Sequence, residues 1–249
     1  MHAALFQSAL GISEPWYVKD VNFNVVKKQL TFQIDFAPDS HFAVEQIAGE
    51  HPVHDTVTKQ YRLLNFFEHE CDLEVRVPRV RLPDGGIRQV QPPWAGKLSG
   101  FTLLFEALVM SLCREMPFAT VGRIVRLSWH TVNAFCVKYV DLALAYADFS
   151  GVKRLAADET SRPRGHNYVT LVADATERRV LFVAQGRGAD TLDAFIEDFK
   201  EPGGVPDAIE SVSIDMSPAF IKEIQANLLN ATVTFDKFHV VALAGKAVD

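Results

Sequence analysis

Two aspartates set the strongest constraint on what this chain can fold into. Asp158 follows the run Val152-Lys-Arg-Leu-Ala-Ala, and Asp215 follows Ile209-Glu-Ser-Val-Ser-Ile. Between them lie two further apolar runs, 166–174 and 179–186, and a helical stretch from Asp190 to Phe199. Another helical stretch follows Asp215. Strands that alternate with helices in this way specify an α/β sheet. Asp158 is read as ending the first strand, and Asp215 as ending the strand after the first helix. In a sheet whose first strand lies beside its fourth, both carboxylates reach one edge. Paired carboxylates are hard oxygen donors suited to Mg²⁺ or Mn²⁺. Two such ions, about 3.5–4 Å apart, clamp the attacking and leaving oxygens of a phosphodiester. The plainer reading of each residue is local. Asp215 precedes Met-Ser-Pro-Ala and can cap a helix, and Asp158 can bond the turn after it. Glu159 falls on the opposite pleat face from Asp158, and Asp174 reads as a turn residue.

Three segments carry a resemblance. Asp158-Glu-Thr-Ser, Val212-Ser-Ile-Asp215-Met-Ser-Pro-Ala-Phe220 and Thr234-Phe-Asp236-Lys-Phe-His239-Val resemble the catalytic domain of bacterial insertion-sequence transposases. The family is the ISL-three type, RNase-H-like with an Asp-Asp-Glu triad, and the resemblance covers essentially the whole chain. It implies that Asp158 and Asp215 are catalytic residues and ligands of Mg²⁺ or Mn²⁺. It implies DNA partners, the terminal inverted repeats and the target, on which the intact enzyme hydrolyses and transfers strands. A homo-oligomer or a full-length transposase is a further partner. Asp236 and His239 match an Asp-x-x-His of the family. There they orient substrate or shuttle protons behind the metal ligands, or else form a buried pair that ties a strand to the next helix. The family's third carboxylate lies on a helix well downstream. The last residues here, 240–249, read as a helix without a stop signal, so the expectation is a C-terminally truncated transposase. The alternatives are a catalytically inactive DNA-binding fragment and a non-functional remnant.

Upstream, residues 91–100 form a Pro- and Gly-containing linker, with Ser99 as a candidate N-cap. Phe101 to Met116 has helical spacing. Pro117 opens a second helix through Leu127, as Pro does at a first helical position. Leu127-Ser128-Trp129 makes a turn, and a third helix runs from about His130 to Tyr146. Two helices joined by such a turn match a helix-turn-helix. Its second helix would read a major groove from its N-terminal residues, Trp129, His130, Thr131 and Asn133, with Lys138 reaching phosphate. The bland reading is a helical connector; the family has a helix-turn-helix here. Leu142, Ala143 and Ala145 are expected in the core.

The N-terminal part alternates weakly. Val21–Val25 and Leu30–Phe36 read as a hairpin or edge strands. Residues 37–60 read as loop, 61–82 as strands broken by Pro78, and Asp84-Gly85-Gly86 as a turn. The family's module at this place is a zinc ribbon held by Cys-x-x-Cys pairs. Phe42-Ala-Val-Glu-Gln-Ile-Ala stands where one pair would be, and Leu82 stands at another ligand position. His41, His51, His54, His69 and Cys71 remain, with His51 and His54 close enough in sequence to share a metal. They are read instead as solvated loop histidines of a degenerate ribbon, and bound zinc is not expected.

The expected architecture is α+β in several modules. It comprises a small N-terminal β module over 1–90, a helix-turn-helix region over 91–150 and an incomplete RNase-H-like α/β domain over 151–249. The net charge is −6, which argues against a purely electrostatic nucleic-acid binder. Arg76, Arg79, Arg81, Arg88 and Lys97 nonetheless form a local basic stretch offset only by Asp84. Three scattered cysteines make no disulfide framework. No apolar run approaches the roughly 20 residues of a membrane span, and the N-terminus lacks the pattern of a signal peptide. A cytoplasmic location is expected.

Overall fold

The computed structural model describes residues 2–161, 168–186, 189–215, 218–235 and 241. The chain forms two compact units, Met1–Leu142 and Ala143–Asp249. Among the described residues no helix is long and apolar enough to cross a membrane.

The first unit opens with α1 (His2–Ala9), followed by β1 (Trp16–Asn24), β2 (Gln29–Phe36), β3 (His41–Val44), β4 (Ile47–Phe66), β5 (His69–Arg81) and β6 (Ile87–Gln89). The sheet order is β1-β2-β5-β4-β3, with β6 beside β5. The expected hairpin exists. Asn24 Oδ1 accepts from Lys27 N at 2.9 Å, and Lys28 closes the turn at φ 50°. Leu30, Phe32 and Ile34 alternate inward, as a sheet with one solvated face requires.

Two expectations fail here. Residues 37–60 are not loop, because β3 and most of β4 run through them. Their polar residues alternate on a strand whose partner, β5, supplies Val75, Val77 and Val80 to the core. Nor does Pro78 break β5. It stays in register with Thr56, and its carbonyl accepts from Val90 N at 2.9 Å. The Asp84 turn is as expected: Asp84 Oδ1 accepts from Gly86 N at 2.8 Å, Gly85 takes φ 83°, and Arg81 pairs with Ile87.

Three helices complete this unit: α2 (Leu103–Glu115), α3 (Phe118–Val125) and α4 (Trp129–Ala145). Thr102, rather than Ser99, caps α2; its hydroxyl accepts from Phe105 N at 3.3 Å. Pro117 stands at the cap of α3, one residue before the helix proper. Phe105, Val109, Val121, Val125, Val132 and Phe135 form a separate core, against which Leu64 of β4 packs. The helices are thus joined to the sheet, and Arg62 bridges to Phe101. Leu142 is half-buried, whereas Ala143 and Ala145 are exposed and not core, because they lie off the stripe of Val132, Phe135, Tyr139 and Leu142.

The second unit runs β7 (Arg154–Ser161), β8 (Tyr168–Asp174), β9 (Arg179–Gln185), α5 (Ala189–Lys200), a 3₁₀ turn (Pro206–Ala208), β10 (Ser211–Ile214), α6 (Pro218–Asn227) and β11 (Thr232–Phe235). The strand order is β11-β10-β7-β8-β9. The meander β7-β8-β9 is antiparallel, whereas β10 and β11 run parallel to β7. The first strand of this sheet therefore lies beside the fourth. Leu155, Ala157, Val212 and Ile214 face a core shared with Leu192, Phe195 and Phe199 of α5 and Ile224 of α6.

Candidate functional site

The parallel pairing of β7 with β10 places the two aspartates. Its register matches Arg154 with Ser211, Leu155 with Val212 and Ala156 with Ser213. Two residues past that last pair stand Asp158, still within β7, and Asp215, just after β10. With Leu155, Ala157, Val212 and Ile214 turned to the core, strand alternation puts Ala156, Asp158 and Ser213 on the opposite face. Asp158 and Asp215 line one cleft of about 230 Å³ on that face, with Ala156, Leu171, Ala173 and Ser213 among its walls. Asp158 is exposed and Asp215 half-buried.

One detail differs from the sequence reading: Asp158 does not end its strand. β7 continues to Ser161, and Asp158 pairs with Leu171 of β8. Its Oδ1 accepts from the neighbouring Glu159 N at 2.8 Å. Asp174 is the turn residue expected. It is 3% exposed, accepts from Thr176 N at 2.9 Å and Glu177 N at 3.1 Å, and lies 3.7 Å from Arg179 Nε. Asp236 and His239 lie outside the described residues. Among the described residues no group of three or more His, Cys, Asp or Glu side chains is placed to hold a metal ion.

The second candidate site is built by α3 and α4. Arg126 ends α3 in the left-handed conformation at φ 57°, so the chain reverses within three residues. Gly122 makes that reversal close. A Cβ there would lie 2.6 Å from the Leu127 carbonyl oxygen, and Gly122 O accepts from Leu127 N at 2.8 Å. Ser128 Oγ then accepts from Thr131 N at 3.1 Å and starts α4. Val132 and Phe135 anchor the helix below. The Trp129 and His130 rings are in contact, tilted by 30° with centroids 3.7 Å apart, and both residues are exposed. Asn133 is half-buried and Lys138 exposed. Thr131 is turned towards the cap, its hydroxyl 2.9 Å from Ser128 Oγ.

Sequence reasoning missed Glu106. This carboxylate is fully buried. It accepts from Lys97 N at 2.8 Å, Leu98 N at 2.7 Å and the Tyr139 hydroxyl at 2.6 Å. It thereby ties the linker and α4 to α2. Burial, then the bond to Glu106, pushes the Tyr139 hydroxyl up to about 12. Gly96 leaves it room, since a Cβ there would meet the carboxylate at 2.3 Å. A charged residue inside an apolar helical pattern was the available signal.

The histidines of the N-terminal module are not loop residues. His51, His54 and His69 lie on strands. His51 is buried, whereas His54, an odd number of positions on, is exposed and faces Arg81 Nη2 at 3.0 Å. Two of the four arginines of the basic stretch are in ion pairs: Arg79 with Asp55, and Arg76 with the buried Asp35 at 3.3 Å. The partners come from other strands, which a linear count of charge does not see. The three cysteines are free thiols.

A helix-turn-helix followed by an α/β sheet that brings two carboxylates to one cleft is the domain plan of a DNA transposase. Residues 90–140 match the helix-turn-helix domain of transposase family ISL3, and residues 155–249 match the transposase domain of the same family. This chain therefore carries the helix-turn-helix and transposase domains of the ISL3 family of insertion-sequence transposases. The transposase for insertion sequence element IS1001 of Bordetella parapertussis is 35% identical over 199 residues, 79% of this chain and 48% of that protein. The transposase for IS1557 of Mycobacterium tuberculosis is 30% identical over 192 residues, 77% of this chain and 43% of that protein. The chain thus spans just under half the length of these relatives. Among solved structures, the Mos1 strand transfer complex matches at 12% identity over 64% of this chain and 67% of that one, with a TM-score of 0.25.

Proposed function

We propose that the chain acts in DNA transposition of an insertion sequence. In this reading α4 binds the element's terminal inverted repeats, and Asp158 and Asp215 form the carboxylate part of an RNase-H-like phosphodiester site. The observation that carries it is that Asp158 and Asp215, each two residues past the last matched pair of the parallel strands β7 and β10, line one cleft. Neighbouring strands lie about 4.8 Å apart, which suits two carboxylates that share divalent ions. The donors are hard oxygens and the surrounding walls are small, so the residues fit Mg²⁺ or Mn²⁺. Bound there, such ions supply Lewis acidity and a template for in-line displacement. Asp158 and Asp215 would hold them, and the α4 site would hold the duplex in register.

His130 and Asn133 are assigned to base edges, and Lys138 to phosphate. Thr131 is assigned with them. Asp236 and His239 are assigned to support of the carboxylate site. The modules are assigned to 1–90, 91–150 and 151–249. The N-terminal sheet is read as standing in place of the family's zinc ribbon, without zinc. DNA is the partner, together with further copies of this chain or a full-length transposase, and the place of action is the cytoplasm.

A second reading has its own support. Among the described residues two carboxylates, Asp158 and Asp215, line the cleft, and in this reading the chain binds DNA without cutting it. Mn²⁺ titration, a mobility-shift assay with element-end duplex and a strand-transfer assay separate the two. Saturable Mn²⁺ binding lost in Asp215→Asn, together with preference for element ends over random duplex, supports the transposase reading. Unaltered Mn²⁺ binding in both Asp158→Asn and Asp215→Asn sinks the metal assignment. Metal-dependent cleavage by the chain alone eliminates the second reading.

A further inference from the structure

We propose that the loop at residues 97–99 is a second arm of the DNA site and grips the phosphate backbone beside α4. This rests on the reading of α4 as the recognition helix. A groove of about 590 Å³ runs between this loop and the solvent face of α4, lined by Lys97, Ser99, Asn133, Val137, Lys138 and Asp141, among others. Nothing in a bare helix-turn-helix requires this wall. Glu106 builds it by accepting from the backbone N–H groups of Lys97 and Leu98 while it also holds Tyr139 of α4. Loop and helix are thereby fixed to the same buried carboxylate. The side chains of Lys97 and Ser99 remain exposed.

The charges favour a polyanion. Arg62, Arg76, Arg79 and Arg126 of this unit all sit in ion pairs. Among the described residues neither Lys97 nor Lys138 has a carboxylate within 4.0 Å. These two unpaired cations line the same groove, one on each wall. Asp141 lines it too and opposes an anion, which gives the groove a built-in test of sign.

The geometry fits a duplex. An α-helix with side chains is about 10–12 Å across, and the major groove is about 12 Å wide. A helix seated there lies against the sugar–phosphate walls, so a loop flanking its middle turns meets the backbone and not the bases. Lys97 and Ser99 on one side, with Lys138 on the other, thus contact phosphates of the strand beside the helix. The base-facing end remains Trp129 to Asn133.

The test is fluorescence anisotropy of the full chain with a labelled element-end duplex and a random duplex, across a salt series. Lys97→Ala should weaken both complexes by the same factor, about fivefold near 0.15 M salt, and reduce the slope of log K against log salt by about 0.9. Asp141→Asn should tighten both complexes, which a purely structural role for the groove would not produce. An unchanged affinity and slope in Lys97→Ala overturns the inference, as does weaker binding in Asp141→Asn. Equal affinity of the unaltered chain for both duplexes defeats the sequence-reading role of α4 instead, and the slope change still reports on the loop. A chain that binds neither duplex overturns both.

Discussion

At the scale of single residues, two side chains that do no chemistry set up the proposed DNA site. Gly122 stands where α3 and the turn meet, with the Leu127 carbonyl in the space a Cβ would take. Gly122→Ala must push that carbonyl away, and overpacking of this kind costs about 1–3 kcal/mol. Urea unfolding should show that loss, and affinity for element-end DNA should fall with it. Glu106 is the second. A buried carboxylate is tolerated because donors satisfy it, and Tyr139 is one of the three. Burial and that bond raise the Tyr139 hydroxyl to about 12, so the folded chain favours the neutral phenol. The stabilisation is therefore fully present below the ordinary tyrosine value of about 10 and is lost as pH rises through the folded value. Unfolding measured against pH should show wild type more stable than Tyr139→Phe at neutral pH, with the gap closing in the alkaline range. A gap that does not change with pH would remove Tyr139 from the network.

At the scale of elements, α4 and the β7–β10 pair carry the geometry of the proposed sites. The start of α4 rests on Ser128, whose hydroxyl satisfies the otherwise unbonded Thr131 N–H. Ser128→Ala should cost about 1 kcal/mol in thermal or urea unfolding. It should also weaken DNA binding, because the first turn presents Trp129 and His130. β10 is an interior strand, with β11 on one side and β7 on the other. Its four residues alternate Ser-Val-Ser-Ile, which is enough to fix the face on which Asp215 emerges. A one-residue slip of this strand would send the carboxylates to opposite faces, so their joint placement depends on Val212 and Ile214 being held in the core.

At the scale of the whole molecule, the two units have separate cores. Leu30, Phe32, Val75 and their neighbours, with the cluster around Phe105 and Phe135, stabilise the first. Leu155, Phe195 and Ile214 centre the second. Tyr146, just after α4, is 88% exposed, and the residues after it enter the second core at Ala147 and Phe149. A fragment ending at Tyr146 should fold and keep the affinity of the full chain for element-end duplex within about twofold, since independent cores predict near-additive behaviour. Circular dichroism and anisotropy would show this. Loss of cooperative unfolding in the fragment would show that the units depend on each other.

Much of this was legible in the sequence because it is encoded locally. The βββαβα order, the three helices, the turn at Asp84 and the carboxylates Asp158 and Asp215 follow from periodicity and punctuation, which act over a few residues. The matching motifs added the family. What the sequence could not reveal depended on partners distant along the chain. Residues 37–60 read as loop because their strand character comes from β5, and Pro78 looked like a break because its neighbours could not be seen to accommodate it. The Arg76 and Arg79 charges looked free until Asp35 and Asp55 were placed beside them. The groove held by Glu106 arises from residues in the linker, α2 and α4. Local propensity and alternation are properties of the chain itself. Pairing, burial and the neutralisation of charge are properties of proximity, and only the tertiary structure creates that.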